Sequence, residues 1–165
     1  ESEVFENKAF NLQAVELELS NNKYSIAHFA THGEFSSRHQ DSFILTYDNK
    51  LTMANLQRLL DERDSEEPLD LLVLSACQTA AGDERAALGL AGVAIQSGAR
   101  SALASLWRIS DAATAELMSN FYAELAEPAS TKASSLRHAQ LALLKQDRFK
   151  HPSFWAPYLL IGDWM

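Results

Sequence analysis

The chain has 165 residues, 47% of them hydrophobic, with only six glycines and four prolines, which suits one globular domain over 1–165 and argues against disorder. Its formal net charge of −8 comes from 22 acidic against 14 basic residues. No Lys/Arg cluster forms a stripe that could neutralise phosphates, so neither nucleic acid nor an anionic membrane is expected as a partner.

Phe10, Ala14, Leu17 and Leu19 recur at roughly helical spacing and predict a helix over 9–20, ended by Ser20-Asn-Asn22. An apolar run over 24–30 reads as a buried strand, followed by a polar loop through Ser36-Ser-Arg-His-Gln40. Phe43 to Thr46 and Lys50 to Thr52 flank a Tyr47-Asp-Asn49 turn and read as a small hairpin. Thr52 is a plausible N-cap for a helix with Met53, Leu56, Leu59 and Leu60 inward, ending in the charged run Asp61 to Glu67. Pro68 then opens the central strand, Leu69 to Ala76. Residues 84–97 predict a small-residue helix carrying Leu88, Ala91 and Ile95 that stops at Gly98. Ala99 to Trp107 form a third buried strand. Ser110 or Asp111 caps a helix carrying Ala115, Met118, Tyr122 and Leu125, another helix spans about 133–146, and Tyr158 to Ile161 make a last short strand.

Alternating strands and helices imply a mostly parallel sheet with helices on both faces. Right-handed crossovers then bring the chain ends after residues 30, 76 and 106 to one edge, where active sites of open α/β sheets form. One of these loops carries His32-Gly33, the second Cys77, and the third Trp107-Arg108-Ile-Ser-Asp111. An imidazole and a thiol delivered to one edge by neighbouring strands have the parts of a nucleophile and its base. The single cysteine cannot close an internal disulfide or build a four-cysteine zinc site, which fits the cytoplasm. No apolar stretch approaches the roughly 18 residues that span a bilayer, and the first six residues lack a signal core. The chain opens without a methionine, which suggests a piece of something longer.

Ala-His-Phe-Ala-Thr-His-Gly (27–33), Leu-Val-Leu-Ser-Ala-Cys-Gln-Thr-Ala (72–80), Gly-Ala-Arg-Ser-Ala-Leu-Ala-Ser-Leu-Trp (98–107), Ser-Asp-Ala-Ala-Thr-Ala-Glu-Leu-Met (110–118) and His-Pro-Ser-Phe-Trp-Ala-Pro-Tyr-Leu-Leu-Ile-Gly-Asp-Trp (151–164) closely resemble CHAT domains. These are caspase-like modules, relatives of separase, usually attached to tetratricopeptide repeats. The resemblance runs from about residue 10 to the end. It implies a caspase-hemoglobinase fold, a three-layer αβα sandwich with a mostly parallel central sheet. It also implies cysteine endopeptidase chemistry on a protein or peptide substrate, with His32 and Cys77 as the catalytic pair and a regulatory domain such as tetratricopeptide repeats upstream. Domains of the family usually carry additional strands before the position where this chain starts. Caspase-like domains are often latent until a partner or a cleavage rearranges their loops.

A free thiol titrates near pH 8.5, so a neighbouring imidazole is needed to raise the thiolate fraction at neutral pH. The backbone N–H groups of Gly33 and Cys77 are the candidate oxyanion donors. No third catalytic side chain, cofactor or metal is expected. His28 and His32 have the i, i+4 spacing of a helical zinc site but fall on a strand, so His28 reads as a satisfied core histidine. Gly89, Gly92 and Gly98 lack the Lys-Ser/Thr of a phosphate loop. Asp111 has two readings. It either caps the helix or charges its first turn, or, as in separase-like relatives with an acidic residue after a Leu-Trp strand end, faces the P1 side chain and selects Arg or Lys. Arg108 would neutralise it or favour an acidic P1, and Trp107 is a pocket wall or core. The competing class is a non-catalytic interaction module with the same fold; a different thiol acyltransferase is a third.

Overall fold

Leu71, Leu72, Val73 and Leu74 form a strand buried at every position, and the rest of the molecule is layered on its two faces. The computed structural model describes all residues except 1, 21–23, 36–41, 64–67, 76–77, 80–91, 93–94, 96–97 and 108. In chain order the strands are β1 (Ile26–Phe29), β2 (Gly33–Phe35), β3 (Phe43–Leu45), β4 (Lys50–Thr52), β5 (Leu71–Leu74), β6 (Gln78–Thr79), β7 (Ser101–Ser105) and β8 (Tyr158–Gly162). The α-helices whose bounds are described are α1 (Leu12–Ser20), α2 (Met53–Asp61), α3 (Asp111–Leu125) and α4 (Lys132–Leu144).

The main sheet has the order β1-β5-β7-β8, with β1, β5 and β7 parallel and β8 antiparallel to β7. Side chains of a strand alternate between faces, and that alternation sorts the core into two. Leu72, Leu74, Ala102 and Ala104 join Val15 and Leu19 of α1 and Met53, Leu56, Leu59 and Leu60 of α2. Leu71, Val73 and Leu103 join Ala113, Leu117, Met118 and Phe121 of α3 and Leu136, Ala139 and Leu143 of α4. The result is the three-layer αβα sandwich with a mostly parallel sheet. Each fully buried Leu or Phe here contributes about 1.5–3 kcal/mol.

Several expected elements form as read. Thr52 caps α2, its Oγ1 accepting from the Asn55 N–H at 3.2 Å. The 43–46 and 50–52 segments pair antiparallel through Ile44 and Leu51. Gly98, at φ +92°, follows Ile95, which is helical and packs against the first core. Most of the predicted helix over 84–97 lies outside the described residues.

Other expectations are corrected. The inward stripe of α1 is Val15 and Leu19, one turn apart, while Leu17, two residues on and so on the opposite side, is 62% exposed. In α3 Met118 is buried and Tyr122 and Leu125 pack against the second core as expected, but Ala115 is exposed and Ala113, Leu117 and Phe121 complete the buried face. The strands β2 and β6 were not foreseen. They join the hairpin in a second sheet of order β4-β3-β2-β6.

The amino-terminal edge of the main sheet is fastened by charge. Lys132, 3% exposed, starts α4 behind a Thr131–Ser134 capping box and donates to Asp70 Oδ1 at 3.0 Å and to a main-chain oxygen of Met165 at 2.8 Å. The Arg63 guanidinium, beyond the end of α2, donates to the carbonyls of Leu19 (2.7 Å) and Tyr24 (2.8 Å), tying α1 to the entry of β1.

Gly162 ends β8 at φ +94°, where a Cβ would collide with the Arg100 carbonyl oxygen and the Ile95 side chain. That carbonyl accepts from the Asp163 N–H at 2.8 Å, so the backbone cannot step aside cheaply. Gly162→Ala is expected to cost at least about 1–3 kcal/mol from the backbone conformation alone, read as a lowered urea midpoint with unchanged slope.

Candidate active site

A parallel sheet delivers the ends of β1, β5 and β7 to one edge, and each expected site segment begins there. β1 ends at Phe29, and after three residues the chain re-enters the second sheet as β2. β5 ends at Leu74 and re-enters as β6 at Gln78. The two chains are hydrogen-bonded neighbours on both sides of the crossing. Phe29 pairs with Leu74 before it, and Glu34 with Gln78 and Phe35 with Thr79 after it. His32 lies within the first crossing. Cys77, the residue before Gln78 in sequence, lies outside the described residues, as does Arg108.

The His32 segment is held through its backbone. The Leu45 N–H donates to the His32 carbonyl at 2.8 Å, and Thr31 Oγ1 donates to the Leu45 carbonyl at 2.9 Å. The imidazole of His32 is exposed and makes no hydrogen bond among the described residues. Gly33, buried, faces Ile44 across the antiparallel pair. Because the adjacent ladder bond runs from Leu45 to His32, Gly33 and Ile44 form a non-hydrogen-bonded pair, and the Gly33 N–H points away from β3. It therefore points to the side on which β2 meets β6.

At the end of β7, Trp107 is 38% exposed, so it is not core, and its Nε1–H donates to the Ser153 carbonyl at 3.3 Å. A short 3₁₀ turn, Pro152–Phe154, carries that carbonyl, and His151 caps the turn by accepting from the Ser153 N–H. The cap of α3 is Ser110, whose Oγ accepts from the Ala113 N–H at 3.4 Å. Asp111 is the first helical residue and is exposed. The side-chain cap thus belongs to its neighbour, while Asp111 is the acidic residue of the first helical turn.

Three residues below this edge were not singled out as site residues. Ser75, the residue after β5 and 4% exposed, has its Oγ 2.7 Å from His28 Nε2, and its carbonyl accepts from the Tyr158 hydroxyl at 3.1 Å. The only sequence signal is a hydroxyl at the end of an otherwise apolar run. His28 lies on a strand and is hydrogen-bonded, as expected, but it is exposed and so is not a core residue: only its Nε2 end reaches the buried Ser75, with its ring 5.6 Å from that of Tyr122. Partial desolvation of the imidazole against the strand end lowers its pKa to about 4. Among the described residues no group of three or more His, Cys, Asp or Glu comes together as metal ligands, and no helix is long and apolar enough to cross a membrane.

The pKa of His28 has a sign consequence for stability. Between about pH 6.5 and 4 the unfolded chain binds a proton that the folded chain does not, so its contribution is fully present above 6.5 and is lost as pH falls through this window. Urea denaturation at pH 7, 5.5 and 4.5 should show His28→Gln losing less stability than the parent over that range.

A family model for the CHAT domain matches residues 1–163, nearly the whole chain. No curated protein matches it.

Proposed function

Because the chain belongs to the CHAT domain family, whose caspase-like α/β architecture it carries, we propose that it is a cysteine endopeptidase acting on protein or peptide substrates through His32 and Cys77. The observation that carries this reading is the double pairing, β1 with β5 and β2 with β6, that flanks both residues. Neighbouring strands run about 4.8 Å apart, a spacing across which an imidazole and a thiol reach one another.

In the proposed cycle His32 takes the Cys77 proton and the thiolate attacks the scissile carbonyl carbon, giving a tetrahedral oxyanion. The Gly33 N–H, directed away from β3, and the Cys77 N–H stabilise that oxygen; losing one such donor costs about 3 kcal/mol of transition-state stabilisation. The imidazolium returns its proton to the leaving amine as the C–N bond breaks. Water, deprotonated by His32, then hydrolyses the thioester and restores the thiol. Digestion of a peptide library by the full-length protein is expected to yield cleavage products that Cys77→Ala does not. Identical patterns in the two proteins would point to a non-catalytic interaction module. Alkylation by iodoacetamide at pH 7 is expected to be about tenfold slower in His32→Ala, the worth of one pK unit in thiolate fraction.

Asp111, Trp107 and Arg108 are proposed to line the S1 side. Ser110 already caps α3, which leaves the Asp111 carboxylate available to a substrate guanidinium. A P1 Arg peptide should then be cut in preference to P1 Asp or Leu. In Asp111→Asn that preference is expected to shrink by about 1.5–3 kcal/mol in kcat/KM terms, whereas a purely helical role would leave it unchanged.

A further inference from the structure

The register of the second sheet sorts its residues between two faces. Ile44 of β3 and Leu51 of β4 point inward and are buried in the first core, and Gly33 of β2 stands opposite Ile44 on that buried face. The bond from the Leu45 N–H to the His32 carbonyl continues the β2–β3 register by one residue and sets His32 opposite Leu45. Side chains alternate along a strand, so His32 and Glu34 share the outer face with Phe43 and Leu45 of β3 and with Lys50 and Thr52 of β4. The exposures agree: His32, Glu34, Leu45 and Lys50 are exposed, and Phe43 and Thr52 are half-buried.

Two rows cross the strands on this face. One runs His32, Leu45, Lys50, the other Glu34, Phe43, Thr52. Neighbouring strands lie about 4.8 Å apart, so the first row sets an imidazole, an exposed aliphatic side chain and an ammonium within about 10 Å. Lys50 Nζ rests 3.8 Å from the centre of the Phe43 ring and makes no ion pair among the described residues.

The part of a substrate that crosses this row follows from the proton transfer. In the proposed cycle His32 gives its proton to the leaving amine, so that amine touches His32, and the residues after the scissile bond extend from there. The acyl side faces the other way, toward the exit of β7 with Trp107 and Asp111, because β7 lies beyond β5 as seen from β1. We propose that the outer face of the second sheet binds the leaving segment of the substrate, with apolar side chains just after the scissile bond seated on Leu45 and Phe43 and an acidic residue three or four places after it on Lys50. The inference rests on the endopeptidase reading. An extended peptide advances about 3.4 Å per residue, which brings its third and fourth residues level with Lys50. Glu34, in the other row, disfavours an acid on its own side and so directs that charge to Lys50.

The test digests a peptide library with the full chain and identifies the new amino termini, counting only products absent from the Cys77→Ala digest. These termini report the leaving segment directly, whatever precedes the bond. The parent is expected to enrich apolar residues at the first two positions and Asp or Glu at the third or fourth, the acid by about two- to fivefold, the worth of an exposed ion pair. Lys50→Met should abolish the acidic enrichment, Lys50→Glu should replace it with Lys or Arg, and Leu45→Ser should flatten the first two positions. Lys145→Glu makes the same charge change just past α4, on the opposite side of the main sheet, and is expected to keep the parent profile. A parent without these enrichments, Lys50 variants with the parent profile, or a Lys145→Glu profile shifted as far as that of Lys50→Glu overturns the docking face and leaves the endopeptidase standing. Products no different from those of Cys77→Ala overturn both. Should Leu45→Ser fail to fold, the two variants of the exposed Lys50 decide.

Discussion

The parallel pairing of β1 with β5 is the constraint on which the other layers depend. With β7 on its far side, β5 has no edge of its own, and all four of its residues are buried. A strand so enclosed must be apolar on both faces, and its two faces then recruit α1 and α2 on one side and α3 and α4 on the other. The same pairing brings the exits of β1 and β5 together. The meeting of these exits at the carboxyl edge is thus a by-product of how the central strand is covered.

The two ends of this sheet are treated differently. At the amino end, polar and charged contacts converge on Leu69 and Asp70. The Arg100 N–H meets the Leu69 carbonyl, Ser101 meets the Asp70 carbonyl, the Asp70 N–H meets Ser25, and Lys132 meets the Asp70 carboxylate. Breaking a largely buried ion pair by removing one partner typically costs about 3–5 kcal/mol, and the partial exposure of Asp70 moderates that here. At the carboxyl end the polar groups instead hold loops: Leu45 holds His32, Ser153 holds Trp107, and Tyr158 holds Ser75.

What could be read from the amino-acid sequence follows from which signals are local. Burial of Met53, Leu56, Leu59 and Leu60 and the Thr52 cap are short-range patterns, and they form as expected. The apolar runs around Leu72 and Leu103 announce buried strands for the same reason. In α1 the spacing of Leu17 and Leu19 admitted two faces, and only contact with the sheet selects Val15 and Leu19. β2 and β6 are too short, at three and two residues, to carry a period of their own; β2 is defined by its pairing with β3 and β6, and β6 by its pairing with β2. His32 was legible from its motif, but the direction of the Gly33 N–H follows from the hairpin register. Ser75 and Tyr158, 83 residues apart, meet only in the folded chain.

That separation also bears on when the edge matures. A chain emerging from the ribosome has β1, β5 and β7 long before residue 158 exists, and contacts this distant in sequence close late and slowly. Until β8 lies down, the Ser75 carbonyl lacks its phenol partner and the β7 flank is open. The histidine and cysteine are both present in the nascent chain well before the hydroxyl that anchors the strand end between them.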